Sequence, residues 1–451
     1  MSESELASQK QKKATFGVVF LTIFMDMVGF SVIFPLFPSM LDHYLTREIL
    51  MGGGLVTSFV EMVRDYGYDQ IESDAFRLET VIFGGALGSL YAILQFVFAP
   101  IWGRLSDKVG RRPVLLLTLG GTCLGYALWI FAGSFWVLVL SRTLGGIASG
   151  NLSVATAAIA DVTSRKERSR GMAIIGIAFG LGFVLGPALG GIASSWDWSG
   201  NSQSIFELTP FSLAAVISFC LALLNWVWLA WRFRETLPPN KRGQENEQPR
   251  PAIFQLNRVS NLAVKKTCLS YLCYMVSFSG MEFTLTFLAV ERYAYQPKDI
   301  TGMFLLIGFT LIFAQGFFVR RFVGKIGEKK MALQGILLGF IAFLMLSFPA
   351  SERLFYIALF LMSCGVAFIS PTLTALTSLH SSEGNQGFNL GVFRSSGSIA
   401  RAFGPMLAGL AYFLNGSTFA YMTGAFLLLV PFVILLGVPK PSQPYELKQS
   451  D

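Results

Sequence analysis

Charge is what this 451-residue sequence has least of: Asp, Glu, Lys and Arg make up 14% of it, where ordinary globular domains carry about a quarter. So dry a composition excludes a chain whose whole outer surface meets water. Histidine is scarcer still. The only two, His43 and His380, lie near the ends of separate apolar segments, which leaves no imidazole cluster for a metal. The five cysteines, Cys123, Cys220, Cys268, Cys273 and Cys364, all fall inside apolar segments and read as small buried hydrophobes, not a disulfide framework. Phosphate-binding loops are lacking, which excludes ATP-driven pumping. No paired nucleophile and base stands out either, so neither an enzyme nor a cofactor is expected. The short alternating segments of a membrane β-barrel are missing. Residues 1–14 are polar and no small-residue cleavage site follows the first apolar run, so that run is expected to be retained.

Present instead are long apolar runs. A bilayer core about 30 Å thick needs roughly 20 apolar residues per spanning helix. Twelve stretches qualify: 15–41, 80–103, 114–133, 135–160, 170–195, 209–231, 266–290, 301–320, 331–350, 354–378, 387–413 and 418–438. The expected fold class is therefore an all-α membrane protein of twelve transmembrane helices in two pseudo-symmetric six-helix bundles. With the N-terminus in the cytosol, 26 of the 35 Lys and Arg fall on the cytosolic side, 6 fall opposite, and Arg142, Arg394 and Arg401 lie within helices. That is the positive-inside bias, and it accounts for the net charge of +8 without any nucleic acid.

The expected organisation is a cytosolic tail 1–14, a six-helix bundle 15–232 with an outer insertion 42–79, a cytosolic linker 233–264, a second bundle 265–439 and a tail 440–451. The linker contains "ETLPPNKRGQENEQPRP", polar and rich in breakers. Two internal matches support the division into halves. "GFVLGPALGG" (182–191) matches "ARAFGPMLAG" (400–409) at an offset of 218, and "DKVGRRPVLL" (107–116) matches "GKIGEKKMAL" (324–333) at 217. Repeats of this kind belong to transporters that bind substrate near the midplane between two related bundles. The insertion, with "GGG" at 52–54 and eight acids against three arginines, either caps the outer mouth or is a solvated excursion.

Intramembrane ionisable residues are costly and mark function. Asp26 lies roughly 16 Å into the first segment and Arg142 at a similar level in the fourth. A carboxylate beside an arginine feels desolvation and the cation in opposite directions, which is the basis of a proton-coupled site; a structural ion pair is the alternative. Glu282 in the seventh segment and Arg401 in the eleventh both stand about 22–24 Å from the inner face and are expected to pair. Arg394, seven residues before Arg401, shares its helix face and has no evident partner. It is a candidate for an anionic substrate group, unless it reaches the cytosolic interface. Asn151, Gln95 and Gln315 either line a cavity or bridge helices. Gly182, Gly186 and Gly190 recur every fourth residue, with Pro187 and Gly191 beside them, and form either a static seam or a surface along which the halves rock. The hairpin "GRLSDKVGRRP" (103–113) concentrates Arg104, Asp107, Lys108, Arg111 and Arg112 between two apolar runs.

These motifs resemble the major facilitator superfamily over nearly the whole chain. "GRLSDKVGRRPVLL", with Gly103, Asp107, Gly110, Arg111 and Arg112, is similar to the family signature between its second and third helices. "SRTLGGIASG" (141–150) resembles the helix-four motif, with its arginine at Arg142. "GFVLGPALGG" resembles the helix-five motif of the antiporter branch, and "DMVGFSVIFPLFP" (26–38) resembles the helix-one motif of drug:proton antiporters, tetracycline exporters included. "FGGALGSLYAILQFVFAP", "FSGMEFTLTFLAVERY" and "FRSSGSIARAFGP" are similar to the eukaryotic tetracycline-transporter-like members, regarded as organic-anion transporters. The resemblance implies alternating access, a plasma or intracellular membrane, and an Asp107 latch that faces the start of helix eleven, where a helix N-terminus attracts an anion. Gly324 stands where the second copy would carry its aspartate, so a second latch is not expected. The function expected is proton-coupled antiport of small organic anions or amphipathic drugs by a monomer. The alternatives are an uncoupled facilitator and a non-transporting membrane sensor.

Overall fold

In hydrocarbon only a helix satisfies each backbone N–H and C=O within its own segment. The computed structural model describes residues 3–50, 54, 57–58, 61, 75–162, 178, 180–182, 185–199, 204–242, 256–348, 351–381 and 386–440. Among them the secondary structure is helical apart from one isolated antiparallel bridge, Ala132 to Phe206. The helices are α1 (Glu3–Ser31), α2 (Phe37–Leu50), α3 (Ala75–Val109), α4 (Arg111–Ile130), α5 (Phe135–Ala148), α6 (Asn151–Val162), α7 (Gly180–Ala193) and α8 (Ser212–Arg232) in the first half. The second half has α9 (Leu262–Tyr293), α10 (Pro297–Phe313), α11 (Arg320–Ile326), α12 (Glu328–Ser347), α13 (Glu352–Leu379) and α14 (Gln386–Leu436).

Nine helical stretches among the described residues are long and apolar enough to cross a membrane. The second, fifth and eleventh expected segments lie on α3, on α7 and on the first part of α14. Two expected units are subdivided. The first segment breaks after Ser31 into a 3-10 turn at Phe34–Leu36, because Pro35 and Pro38 cannot donate to a continuous ladder. The fourth breaks at Ser149–Gly150, between α5 and α6. Helix α14 merges the last two segments across a kink at Gly416, where φ is 81°. Most of the 42–79 insertion and residues 243–255 of the linker lie outside the described residues. The start of the insertion continues α2 outward, tied by Arg47, whose Nη2 donates to Glu207 Oε2 at 2.8 Å and to the Ser204 carbonyl at 2.9 Å.

The repeat is legible in atoms. In the first half α7 packs on α1: Ser31 Oγ donates to the Gly182 carbonyl at 3.4 Å, and a Cβ on Gly186 would stand 2.6 Å from the Val28 carbonyl and overlap the Ser31 hydroxyl. In the second half α14 packs on α9: Ser279 Oγ donates to the Ala400 carbonyl at 3.1 Å, and a Cβ on Gly404 would stand 2.8 Å from the Val276 carbonyl and overlap the Ser279 hydroxyl. The two acceptors, like the two glycines, are 218 residues apart. The stripe Gly182, Gly186, Gly190 therefore faces α1 within its own half, with Pro187 and Gly191 buried beside it. It is a close-packed seam, not a surface between halves, because only a bare glycine edge lets two helix backbones meet there.

Among the described residues the halves touch chiefly where α3 meets α14, with further contact of α9 against α2 and α3. Near the outer side the Phe37 and Phe283 rings stand 6.4 Å apart across this boundary.

We expect Gly186→Ala and Gly404→Ala each to destabilise the protein by about 1–3 kcal/mol through overpacking. Gly17→Ala, with nothing within 4 Å of its added methyl, should be neutral. Thermal unfolding in detergent measures both, and equal melting of all three variants would refute the seam.

Candidate functional site

The first half brings two of the anticipated polar residues, Asp26 and Asn151, together. Asp26, on α1, is buried, and Asn151 at the start of α6 donates to its Oδ1 through Nδ2 at 3.3 Å. Thr118 of α4 in turn donates to Asn151 Oδ1. Thus Asn151 bridges helices and touches the candidate proton carrier at once. One helix over, Thr22 Oγ1 donates to Asn225 Oδ1 at 3.0 Å and fixes α1 to α8.

Arg142 does not join this cluster. It precedes Asn151 by nine residues on the same span, which is roughly 13 Å along the axis at 1.5 Å per residue, so the asparagine and not the arginine stands level with Asp26. The Arg142 guanidinium lies instead over the Trp129 ring at 4.4 Å and near Tyr126 at 5.8 Å. The expected contact between Asp26 and Arg142 is not made in this structure.

In the second half Glu282 and Arg401 do meet, Oε2 to Nη1 at 3.8 Å. Arg394 reaches across the boundary between halves: its Nη1 donates to Thr156 Oγ1 on α6 at 3.3 Å. Tyr271 of α9 stacks on Phe393 at 4.0 Å, and its ring crosses Gly397, midway between the two arginines; a Cβ there would stand 2.6 Å from the ring. The arginines thus flank an aromatic face. Gln95 on α3 and Gln315 in a π-helical turn at Ala314–Val319 are half-buried, and no hydrogen bond among the described residues ties either to the arginines.

The cytosolic hairpin is held from within its own half. Helix α3 ends at Val109, and Gly110, with φ 117°, turns the chain into α4, a conformation that suits glycine. Arg111, buried, binds Asp107 at 2.6 Å, Asp161 at 3.0 Å and Ser106 Oγ at 2.7 Å. Glu235, just past α8, accepts the backbone N–H of Arg111 at 2.9 Å and of Arg112 at 3.1 Å, an anion at the N-terminus of α4. Arg112 Nη2 donates to the Ala230 carbonyl at 2.6 Å, and Gly103 lies one turn before Asp107, with its carbonyl accepting from Ser106 Oγ. Residues 382–385, which lead into α14, lie outside the described residues, and the expected facing of Asp107 toward that helix start falls there.

Sequence reasoning missed four of these residues. Glu235 and Asp161 could have been found as the first acids after the cytosolic ends of the sixth and fourth apolar segments; Thr156 and Tyr271 carry no signal in a single sequence.

Comparisons with known proteins agree with this architecture. The Major Facilitator Superfamily matches residues 19–405 and 300–451. Major facilitator superfamily domain-containing protein 10 of Bos taurus is 34% identical over 95% of this chain and 93% of its own. The class D tetracycline resistance protein of Salmonella ordonez is 27% identical, over 92% and 95% respectively. The crystal structure of the human organic anion transporter MFSD10 (TETRAN) superimposes with a TM-score of 0.75 at 32% identity, covering 94% of this chain and 99% of that one. With half the chain and more matched, and its relatives transporters rather than enzymes, this multi-pass membrane protein belongs to the major facilitator superfamily.

Proposed function

We propose that the protein is a secondary transporter that exchanges protons for small organic anions or amphipathic drugs by alternating access, as a monomer with both termini in the cytosol of a plasma or intracellular membrane. The observation that carries this reading is the placement of Arg394 and Arg401 on one face of α14. One is paired with Glu282 and the other extends to the opposite half, with the Tyr271 ring between them. A guanidinium shielded from water is worth its desolvation only if an anion or a dense set of acceptors answers it. Here Thr156 answers Arg394 with a single neutral hydroxyl. An organic carboxylate or sulfonate arriving between the arginines would offer Arg394 a charge-assisted bond in place of a neutral one, and would loosen a bond that now joins the halves.

In this reading Asp26 carries the proton. Its partner Asn151 is an amide, so no cation fixes the carboxylate in its ionised form, and a neutral acid is the cheaper species in a dry site. Glu282 is the second candidate carboxylate, responsive to whatever binds Arg401. Asp107, Arg111, Arg112, Gly103 and Gly110 form the cytosolic latch, with Glu235 as its anchor. The relatives support the substrate class: an organic anion transporter and tetracycline resistance proteins.

Three outcomes follow. In proteoliposomes, Arg394→Ala and Arg401→Ala should each raise KM for organic anions by about tenfold; unchanged KM in both removes the substrate argument. Asp26→Asn should abolish acceleration by an imposed pH gradient, whereas gradient-independent transport by the unmodified protein would favour the facilitator. Glu235→Ala should free the hairpin and raise, several-fold, the rate at which a cytosolic thiol reagent modifies a cysteine placed at Thr156; an unaltered rate rejects the latch.

A further inference from the structure

Arginines elsewhere in the spans have polar answers: Arg401 has Glu282, Arg394 has Thr156 and Arg111 has two aspartates. Arg142 differs. It is 5% exposed, and its Nε and Nη2 have no hydrogen-bond partner among the described residues. Those two nitrogens lie on one edge of the guanidinium and present parallel N–H bonds, the fork that matches both oxygens of a carboxylate. Among the described residues the groups around the cation are neutral and aromatic: the Trp129 ring beneath it, Tyr126 beside it, and the hydroxyls of Tyr44 and Tyr91 within electrostatic reach. The Tyr44 hydrogen is already spent on the Ala132 carbonyl, 2.6 Å away. Asp26 makes no ion pair with it. A cation–π contact offsets only part of the cost of burying this charge. The remainder calls for an anion.

We infer that Arg142 is an anion-receiving residue in its own right, a second subsite in the outer part of the first half that takes the carboxylate or sulfonate of an aromatic organic anion. The inference rests on the organic-anion reading above. The aromatic preference comes from the walls: Phe30 stands 4.8 Å from Tyr91, and Tyr91 lies against Gly145, one turn after Arg142. An anion on the Nε–Nη2 edge would sit beside the indole of Trp129 and change its surroundings.

The test uses the full-length protein in detergent, with benzoate, a naphthalenesulfonate and chloride as probes, read by calorimetry and tryptophan emission. We expect the unmodified protein to bind the two organic anions, Arg142→Gln to weaken both at least tenfold, and Trp129→Phe to lose the emission change. Arg142→Lys should recover part of the affinity for chloride but not for benzoate, since a point charge lacks the fork. Arg142→Gln binding the organic anions as tightly as the unmodified protein overturns the inference, as does chloride binding alone. If Arg142→Gln does not fold, an emission change that persists in Trp129→Phe overturns it as well. Failure of the unmodified protein to bind any organic anion would instead remove the substrate class proposed above, a result distinguishable from loss confined to the Arg142 variants.

Discussion

A polar group buried in hydrocarbon has no water to return to, so the protein must supply its partner. That constraint organises the whole molecule. Serine and threonine hydroxyls on the spans mostly bond back to their own helix: Thr267 to Ala263, Ser363 to Leu359, Thr377 to Leu373. A few step across to a neighbour and thereby fix helix against helix. Ser31 and Ser279 do so at the glycine seams, Ser141 bonds the Gly125 carbonyl, and Thr22 with Asn225 joins α1 to α8. Apolar packing gives helices no preference for each other over lipid tails. These cross-bonds, together with close glycine contacts, are what select one arrangement.

The same constraint separates scaffold from chemistry. Features that recur in both halves are structural. Gly110 and Gly327, 217 residues apart, both turn the chain at positive φ. Arg112 and Lys329, also 217 apart, both cap the last carbonyls of a following helix, at Ala230 and Leu436. Features that occur once carry the asymmetry a transporter needs. Glu235 clamps the first turn, where a Cβ on Gly110 would run into its carboxylate, whereas a Cβ on Gly327 would meet nothing within 4 Å among the described residues. Asp26 answers to an amide in the first half, while Glu282 answers to a guanidinium in the second.

Much of this was legible in the sequence, for reasons that differ by residue. Span positions follow from hydropathy, a property of each segment alone. The repeat follows from two offsets, and the pairing of Glu282 with Arg401 follows from counting depth, because both helices cross without interruption between the face and the residue. Depth counting failed for Asp26 and Arg142. The two were counted from opposite faces across an assumed bilayer thickness, and the fourth span delivers Asn151 rather than Arg142 to the carboxylate. The glycine stripe was recognised as a face, but nothing in one sequence says which neighbour that face meets. Thr156 and Tyr271 were invisible for a related reason: a threonine or tyrosine in a span is ordinary until a tertiary contact places it beside an arginine.

The arrangement of charge also bears on how such a protein can switch. A ligand moves a conformational equilibrium only by as much as its contacts differ between states. The contacts able to differ here are those that cross the boundary between halves, since the seams inside each half are close-packed and keep their partners. Among the described residues a polar contact that crosses is Arg394 to Thr156, and an outer apolar one is Phe37 with Phe283. A neutral hydroxyl is a weak competitor for a guanidinium, worth about 1 kcal/mol net, whereas a charge-assisted bond is worth roughly twice that. An anion that reached Arg394 would therefore win it from Thr156 and release the inner contact without disturbing either bundle. In the proposed reading, the binding event and the release of the boundary would therefore act through one side chain.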